Sequence, residues 1–252
     1  MFNFPDVTLL ITHYNRSTSL ERLLEAFSAL GCNFGDIVVS DDGSKPEHVS
    51  YIKNLNQKFR FTLVTTPVNK GLGNNINKGQ DAVKTDYTLY VQEDFVPEKI
   101  FPAHFQRALR FMNERRELDM VRFYAYFKYP HLKPVGDGFS EMEFKLTNPG
   151  YKKFYFYSDH PHLRRSTFFQ KFGRYREGIK VEATEYEMMM SVIKKKGKSL
   201  FFDEFTSLFE QKNSEDEPST VSRNVWRESD NPVLKVMRHL YRHLKFNYNY
   251  LR

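Results

Sequence analysis

Apolar residues in the first hundred positions form four short runs, and the segments between these runs have helical spacing. The runs span residues 7–11, 37–39, 61–65 and 88–91. Continuous runs of this kind are typical of strands that are buried on both faces of a sheet. After the first run, apolar residues recur every three or four positions from Leu20 to Leu30, which predicts a helix that ends at Gly31. Further helices are predicted at 46–59 and 74–84.

The order of these elements predicts the fold class. Strands that alternate with helices form βαβ units, in which parallel strands are joined by right-handed crossovers. We therefore predict an α/β fold: a Rossmann-like, mixed but mostly parallel sheet flanked by helices, with a C-terminal helical extension. In such a sheet the carboxyl ends of the strands line a single ligand crevice.

The second half of the chain has a less regular pattern. Helices are predicted at 102–116, 166–172 and 182–195, and strands at 120–127 and 199–202. Residues 128–157 are rich in proline, glycine and aromatic residues, which predicts either a long loop or a small excursion over the sheet edge.

Composition narrows the class of protein. A chain of 252 residues with 40% apolar and 27% charged residues can bury the core of one α/β domain with an appendage. Cys32 is the only cysteine, which excludes an internal disulfide and a thiolate zinc site and favours a reducing cytoplasm. No run approaches about eighteen consecutive apolar residues, and the first strand begins within about six residues, so neither a membrane span nor a signal peptide is expected.

Positive charge is concentrated near the C-terminus. The net charge is +7, and residues 218–252 contain seven Lys or Arg against two acids. One helical face there holds Val233, Val236, Met237, Leu240, Tyr241 and Leu244, and the rest of the helix holds Lys235, Arg238, His239, Arg242 and Lys245. This basic amphipathic pattern predicts either contact with an anionic membrane surface through residues 232–246 or a helix packed on the domain with a solvated outer face.

Polar side chains follow the first two predicted strands. Thr12 and Tyr14 come after the first strand, and Asp41 and Asp42 come after the second. At neighbouring strand ends, an aromatic ring can stack on a nucleobase while a carboxylate accepts a hydrogen bond from that base. The alternative is an ordinary turn, since Asp-Asp-Gly-Ser is a common turn sequence. The position at two strand ends favours a nucleotide site.

Acidic residues follow the fourth predicted strand, where the chain reads Gln92-Glu93-Asp94. Carboxylates at this place can hold Mg²⁺ or Mn²⁺ against a diphosphate, because hard cations prefer oxygen ligands. The alternative is an acidic turn before Pro97. Of the two interpretations, the position of the acids at a strand end favours the metal site.

A glycine-containing loop, Asn69-Lys70-Gly71-Leu72-Gly73, follows the third predicted strand. It lacks the third glycine of a dinucleotide fingerprint and does not follow the first strand, so it is not evidence for a nicotinamide cofactor. The alternative to a nicotinamide site is that this loop closes near the pyrophosphate of another ligand.

Two further groups come from the second half of the chain. Glu182 and Glu185 stand at the start of a predicted helix, where they either complement the helix dipole or supply a general base. His160 and His162 precede two arginines, and this group either faces a phosphate or an acceptor or lies in a solvated loop. The two histidines have no acids close by in the sequence and do not make a convincing metal site.

Taken in order, these motifs resemble those of the family 2 glycosyltransferases of GT-A fold. The matching segments are 12–16, 37–44, 69–79, 92–94 and 184–188. They are similar, respectively, to the family's opening motif, second-strand motif, loop–helix segment, metal-binding Asp-x-Asp and acidic helix start. The resemblance is specific over residues 7–102, thin from 103 to 165, and returns near Phe172.

The resemblance implies a role for each of these residues. The nucleotide would be held by Thr12, Tyr14, Asn15, Asp41, Asp42, Asn69, Lys70 and Gly71. Asp94, assisted by Glu93, would bind Mg²⁺ or Mn²⁺, and Glu185 would be the catalytic base. The acceptor would meet His160, His162 and Glu182. The implied reaction is a direct displacement at the anomeric carbon with inversion.

Four positions depart from the family pattern. Gln92 replaces the first Asp of the metal motif, Ile76 stands where an Arg is common, and Gln211 lies near the place of a metal-binding His. The base at Glu185 is Glu where the family has Asp. These departures leave open a catalytically inactive relative that binds a sugar nucleotide. A nucleotidyltransferase is disfavoured because no glycine-rich loop follows the first strand, and core packing explains the aromatic residues, so no nucleic-acid partner is expected.

The resemblance also implies a substrate class. The donor would be a nucleoside-diphosphate sugar, with a UDP-sugar favoured, and the acceptor a glycan or a lipid-linked glycan in the synthesis of capsule, lipopolysaccharide or another surface polysaccharide. The expected location is the cytoplasm, with peripheral binding at the inner face of the plasma membrane. Residues 1–212 are expected to form the transferase domain, divided into a donor half (1–102) and an acceptor half (103–212), followed by a basic extension (213–252).

Overall fold

The computed structural model describes residues 1–213, residue 217 and residues 232–252. In this part of the chain, nine strands form a central sheet and two short strands form a second sheet. The strands are Phe2–His13 (β1), Cys32–Asp41 (β2), Thr62–Thr65 (β3), Tyr87–Gln92 (β4), Phe95–Pro97 (β5), Met120–Arg122 (β6), Leu132–Gly136 (β7), Phe139–Met142 (β8), His162–Arg165 (β9), Ser199–Phe202 (β10) and Phe209–Gln211 (β11). The helices are Ser17–Ala29 (α1), Pro46–Phe59 (α2), Leu72–Asp81 (α3), Phe101–Glu114 (α4), Phe168–Phe172 (α5), Val181–Lys194 (α6) and Pro232–Leu251 (the C-terminal helix), with a short 3-10 helix at Lys152–Phe154.

The central sheet is mixed, with most strands running in the same direction. Its order is β3-β2-β1-β4-β9-β6-β10-β8-β7. In the parallel part, β1 lies between β2 and β4, so that Ile11 is paired with both Val39 and Val91. The antiparallel strand β9 separates β4 from β6. This architecture confirms the predicted α/β fold with a mostly parallel sheet and flanking helices.

Helices on both faces of the sheet explain why apolar residues follow one another in β1. Successive side chains of a strand point to opposite faces. Leu9 and Ile11 pack in the cluster that includes residues of α1 and α4, whereas Leu10 packs in the cluster that includes residues of α3 and α6. All three side chains are fully buried. Each contributes about 1.5–3 kcal/mol through removal from water.

Part of the segment 128–157 extends the sheet edge, and the rest is irregular apart from the short 3-10 helix. Strands β7 and β8 form a hairpin whose turn has positive φ at Gly136, Asp137 and Gly138 (98°, 55° and 83°). Left-handed residues of this kind suit the turns that join antiparallel strands. Through β8 the hairpin pairs with β10. The sequence predicted either a long loop or a small excursion over the sheet edge, and this hairpin is a regular part of the sheet.

In this half, one strand is shorter than predicted and another was not predicted. The strand expected over 120–127 ends at Arg122. The next backbone N–H, that of Phe123, still donates to the carbonyl of Pro161, but Pro161 has no N–H with which to return the bond and extend the ladder. Residues 162–165, which were interpreted as part of a possible solvated loop, form the central strand β9. The sequence of β9 is polar. Arg164 donates to Gln80 of α3 and Arg165 to the carbonyl of Met112 of α4, whereas His162 Nε2 and Arg164 Nη1 are buried without a hydrogen-bond partner among the described residues.

The C-terminal helix packs on the domain through Phe246 and Tyr250. The Phe246 ring lies 5.6 Å from the Phe154 ring, and the Tyr250 ring lies 5.2 Å from the Phe144 ring. The predicted apolar face points the other way: Val236, Met237, Leu240, Tyr241 and Leu244 are 55–68% exposed. The predicted residues Val233 and Lys235 have side chains that lie outside the described part. No helix in the described ranges has the length and apolar character needed to cross a membrane.

Candidate functional site

The carboxyl ends of β1, β2 and β4 border a cavity of about 450 Å³ that also reaches the first turn of α6. Most of the residues predicted from the sequence line it: Thr12, Tyr14, Asp42, Asn69, Gly71, Glu93, Asp94, His160, Glu182 and Glu185. The predicted residues outside the lining are Asn15, Asp41, Lys70 and His162. The parallel register brings the strand ends together, since Thr12 is paired with both Ser40 and Gln92.

Asp41 organises the loop after β1 and does not line the cavity. Its carboxylate accepts a hydrogen bond from Nδ1 of His13 at 2.8 Å and another from the Ser44 hydroxyl. Nε2 of the same histidine accepts from the backbone N–H of Arg16 at 3.1 Å. Burial raises the pKa of Asp41, but the bonds from His13 and Ser44 outweigh it and hold the pKa below its ordinary value. The predicted nucleotide contact is therefore replaced by a supporting role.

Asp42 lines the cavity and also fixes the loop opposite. Its two carboxylate oxygens accept from the backbone N–H groups of Lys70 (2.9 Å) and Gly71 (2.8 Å). The loop thus approaches the cavity through its backbone, and Lys70 contributes no lining side chain. Gly43 permits this approach, because a Cβ there would lie 2.4 Å from the carbonyl carbon of Val68. Burial raises the pKa of Asp42, against the two amide bonds.

Asn15 supports the opening loop from outside the cavity. It has a positive φ of 54°, its backbone N–H donates to the Ser44 hydroxyl at 2.8 Å, and its side-chain oxygen accepts from the N–H of Lys45 at 2.8 Å. These bonds join the loop after β1 to the turn after β2. Asn15 therefore shapes the site from outside the lining of the cavity.

The acids after β4 surround a buried arginine that was not predicted. Arg16 Nη1 lies 3.4 Å from Asp94 Oδ2 and 3.6 Å from Glu93 Oε1. Burial, followed by the charge of Asp94, raises the pKa of Glu93 to about 8, and Arg16 opposes this shift. Asp94 Oδ2 also accepts from the side chain of Gln211 at 2.8 Å. Asp94 Oδ1 is buried and accepts no hydrogen bond within the described residues.

Arg16 is held in place by two residues that follow β11 in the chain, Asn213 and Glu217. Its guanidinium donates to Asn213 Oδ1 at 2.8 Å and to the carbonyl of Glu217 at 3.1 Å. The carboxylate of Glu217 accepts from the backbone N–H groups of Thr18 and Ser19 at the start of α1. Sequence spacing could not reveal this arrangement, because about two hundred residues separate the partners.

Glu185, in the first turns of α6, meets a second acid that was not predicted, Asp159. The backbone N–H of Asp159 donates to Glu185 Oε1 at 3.1 Å. Burial, followed by the charge of Asp159, raises the pKa of Glu185. The Asp159 carboxylate itself accepts from the hydroxyls of Tyr157 and Tyr175, each at 3.0 Å. Two carboxyl groups thus lie at the same end of the cavity, and both line it.

Of the two predicted histidines, His160 lines the cavity and His162 does not. His162 is a fully buried residue of β9, and its Nδ1 donates to the carbonyl of His160 at 2.7 Å. Arg164, two residues further, is also fully buried and donates to Gln80 Oε1 at 2.8 Å. The solvated-loop interpretation is therefore wrong, and an acceptor contact from His162 does not fit its position. Burial lowers the pKa of His160 to about 3.

Among the described residues, no cluster of three or more His, Cys, Asp or Glu side chains is placed to hold a metal ion. A site made by Asp94 with substrate phosphates would not need such a cluster, because Mg²⁺ commonly takes one or two carboxylates and completes its shell with phosphate oxygens and water. The unpartnered Asp94 Oδ1 is the atom in this site that suits such a ligand role.

Comparison with known sequences gives the class to which this fold and site belong. The family model described as Glycosyl transferase family 2 matches residues 8–173, about two thirds of the chain. The chain belongs to this family, and the resemblance drawn from the motifs is confirmed.

Curated relatives are similar over part of their length. The chain is 26% identical over 98 residues to a poly-beta-1,6-N-acetyl-D-glucosamine synthase of Staphylococcus aureus (strain COL), covering 39% of this chain and 24% of that protein. It is 25% identical over 127 residues to the putative glycosyltransferase EpsH of Bacillus subtilis (strain 168), covering 49% of this chain and 35% of EpsH. The matches therefore span about a quarter to a third of these relatives.

Solved structures of S. aureus TarS have a similar fold. The structure of TarS 1–349 in complex with UDP-GlcNAc superposes with a TM-score of 0.61 at 15% identity, covering 95% of this chain and 73% of that one. The complex of TarS 1–349 with UDP gives a TM-score of 0.57 at 16% identity, covering 81% and 59%. At this level of identity the likeness concerns the fold, and it confirms the GT-A architecture predicted from the sequence.

Proposed function

We propose that this chain is an active glycosyltransferase that moves a sugar from a nucleoside-diphosphate sugar to a hydroxyl group of a glycan or lipid-linked acceptor. One observation carries the proposal: Thr12 and Asp42 on the nucleotide side, Asp94 and Glu185 all line a single cavity of about 450 Å³. This volume is within the range of cavities that bind small ligands and cofactors. A protein that only bound the nucleotide would not need a general base in the same cavity.

Glu185 is the proposed base. Its carboxylate takes the proton of the acceptor hydroxyl while the acceptor oxygen attacks the anomeric carbon of the donor. The bond from that carbon to the diphosphate oxygen breaks, and the nucleoside diphosphate leaves with the electron pair. Attack opposite to the leaving group inverts the configuration. The hydrogen bond from the Asp159 N–H, at 3.1 Å, orients the carboxyl group of Glu185.

Asp94 is the proposed ligand for a divalent cation, Mg²⁺ or Mn²⁺. The unpartnered Oδ1 supports this role, while Oδ2 is occupied by Gln211 and by the nearby charge of Arg16. When bound, such a cation would stabilise the negative charge that develops on the diphosphate. Arg16 adds a fixed positive charge beside the same carboxylate. Glu93, at 3.6 Å from Arg16, is proposed to assist through that charge balance.

A UDP-sugar is the proposed donor. TarS, whose fold is similar, has been crystallised with UDP-GlcNAc and with UDP. The S. aureus relative is named as a synthase of a polymer of N-acetyl-D-glucosamine. These relatives support a role for this chain in building a surface polysaccharide such as capsule or lipopolysaccharide, at the cytoplasmic side of the membrane.

A thermal-shift panel tests the proposed donor class. UDP, GDP, CDP and dTDP are each added with and without Mn²⁺. We expect UDP with Mn²⁺, at about one hundred times its Kd, to stabilise the fold by about 2.7 kcal/mol, or about 5–10 °C in Tm. Absence of a shift with all four nucleotides would contradict the proposal. A UDP shift without turnover of any UDP-sugar would favour the inactive relative.

We further propose that the C-terminal helix rests on an anionic membrane surface. Its face opposite Phe246 exposes an apolar stripe: Met237, Leu240, Tyr241, Leu244, Tyr248 and Leu251. Basic residues lie beside the stripe at Arg238, Lys245 and Arg252. An apolar stripe flanked by cations fits the boundary between anionic headgroups and acyl chains. A lipid-linked acceptor would be reached from that position.

Co-sedimentation with vesicles tests the membrane contact. We expect wild-type protein to bind vesicles that contain phosphatidylglycerol and to bind pure phosphatidylcholine more weakly, because the flanking cations attract the anionic headgroups. The double variant Leu240→Glu/Leu244→Glu should lose at least about tenfold in affinity, since two exposed apolar side chains become charged. Ile100→Glu is the control, because Ile100 is also an exposed apolar residue but does not belong to the C-terminal helix. Equal binding by the double variant and wild type would rule out this surface.

A further inference from the structure

A second, smaller cavity of about 110 Å³ adjoins the main one. The two cavities share Tyr126, His160 and Glu185 among their lining residues. Glu185 therefore borders both. A base in this position can face a donor in the main cavity and a different molecule in the smaller one.

Aromatic side chains form much of the wall of the smaller cavity. Phe127 and Tyr155 are half-buried, and their rings meet edge to face with centroids 5.3 Å apart and an interplanar angle of 85°. Tyr126 meets His160 in the same way, at 4.5 Å and 82°. Pockets for small ligands are mostly apolar, with a few polar groups that fix orientation. The C–H face of a pyranose ring is apolar and can pack on aromatic faces of this kind.

The charged groups of the smaller cavity are already engaged by other parts of the protein. Arg122 donates to the carbonyl of Tyr155 at 2.7 Å and to the hydroxyl of Ser158 at 2.6 Å, which fixes its guanidinium. Burial lowers the pKa of Arg122 to about 10, and the negative charge of Glu185 opposes that shift. Arg122 and Glu185 thus already have hydrogen-bond partners in the protein, which favours a neutral ligand over a phosphate or an acidic sugar.

We infer that the smaller cavity is the acceptor subsite, and that it holds one neutral pyranose ring against Phe127 and Tyr155 with a hydroxyl directed at Glu185. The inference rests on the proposed function, since it assigns the acceptor for the same base. The volume suits a single ring, and the remainder of the acceptor leaves past Tyr126, which is 67% exposed. The chemistry is that of the proposed transfer: Glu185 takes the proton of the acceptor hydroxyl, the glycosidic bond forms, and the nucleoside diphosphate leaves.

Saturation-transfer difference NMR tests the subsite without knowledge of the natural acceptor. The probes are methyl β-D-glucopyranoside and methyl 2-acetamido-2-deoxy-β-D-glucopyranoside, each added to the whole chain with UDP and Mn²⁺. We expect saturation of at least one glycoside, and a loss of at least about tenfold in its affinity in Phe127→Ala, because a stacked ring is removed. Phe127→Tyr keeps the ring and should retain binding.

Two further variants keep the test decisive. Tyr126→Ala removes an exposed ring and so leaves the fold intact if Phe127→Ala proves unstable, and Tyr248→Ala on the C-terminal helix is the matched aromatic control. UDP binding without saturation of either glycoside overturns the subsite but not the proposed donor chemistry. Saturation that is unchanged in both Phe127→Ala and Tyr126→Ala also overturns it. Glycoside binding that depends on Phe127, in a chain that fails to bind UDP, supports the subsite and rejects the proposed donor.

Discussion

Glu185→Gln is expected to lower kcat for sugar transfer by about 10²- to 10⁴-fold, which is the usual contribution of a positioned general base. The amide can still accept the hydrogen bond from the Asp159 N–H, so the geometry of the loop is kept while proton abstraction is lost. UDP binding, measured by thermal shift, should be unchanged. Glu187→Gln is the matched control, because this acid lies on the same helix but is exposed and pairs with Arg176 at 3.0 Å.

The pH dependence of the wild-type rate gives a second readout of Glu185. Burial, followed by the charge of Asp159, raises the pKa of the carboxyl, so that the proton-accepting form is populated only at higher pH than for an exposed Glu. The base must be ionised, and kcat/KM should therefore rise with pH through a limb that lies above the ordinary pKa of Glu. A full rate in Glu185→Gln, or a flat profile from pH 5 to 8, would remove Glu185 from the role of base.

The first half of the fold was predictable because its strands are buried on both faces. Helices on either side bury residues 7–11 of β1, and that burial is visible as a mostly apolar run in the sequence. Element ends were less accurate. Strand β1 begins at Phe2, five residues before the predicted run, and α3 spans Leu72–Asp81 where 74–84 was expected. Ends depend on caps and pairing partners that a local pattern does not contain.

Strand β9 was not predictable because its core position is occupied by polar residues. Arg164 is fully buried, and its guanidinium is matched by Gln80 from α3 and by the rings of Phe168 and Phe169, each within about 5.3 Å. A buried polar side chain is stable only with such partners. The partners come from distant parts of the chain, so the hydrophobic pattern of residues 162–165 indicates a surface segment.

The sequence predicted the part of the candidate site whose positions follow from the register of the parallel strands alone. Parallel strands end at one edge, which places Thr12 beside the end of β4. Of the two predicted acids after β2, Asp41 turns to His13 and Asp42 lines the cavity, a difference that the sequence does not show. Arg16 and Asp159 were missed, since each acquires its place through tertiary contacts. A local signal for Arg16 was its position in the opening motif, directly after Tyr14-Asn15.

Asp94→Asn is expected to abolish the part of the UDP-induced stabilisation that depends on Mn²⁺ and to lower kcat by at least about 100-fold, because a divalent cation contributes several kcal/mol to charge stabilisation in the transition state. The amide oxygen can still accept the bond from Gln211, so the fold around β4 should survive. The measurement is thermal shift with UDP, with and without Mn²⁺, followed by turnover of a UDP-sugar. Asp81→Asn, at an exposed acid paired with Arg174, is the control.

The position of Arg16 makes the Asp94 experiment decide between two sources of positive charge. If the cation supplies the charge that the diphosphate needs, Mn²⁺ increases the UDP shift in wild type and has no effect in Asp94→Asn. If Arg16 alone supplies it, UDP binds equally with and without Mn²⁺ in both proteins, and Arg16→Met abolishes binding in both. A Mn²⁺-dependent shift that persists in Asp94→Asn places the metal elsewhere. The distance of 3.4 Å between Arg16 and Asp94 is the reason that the two sources compete for one carboxylate.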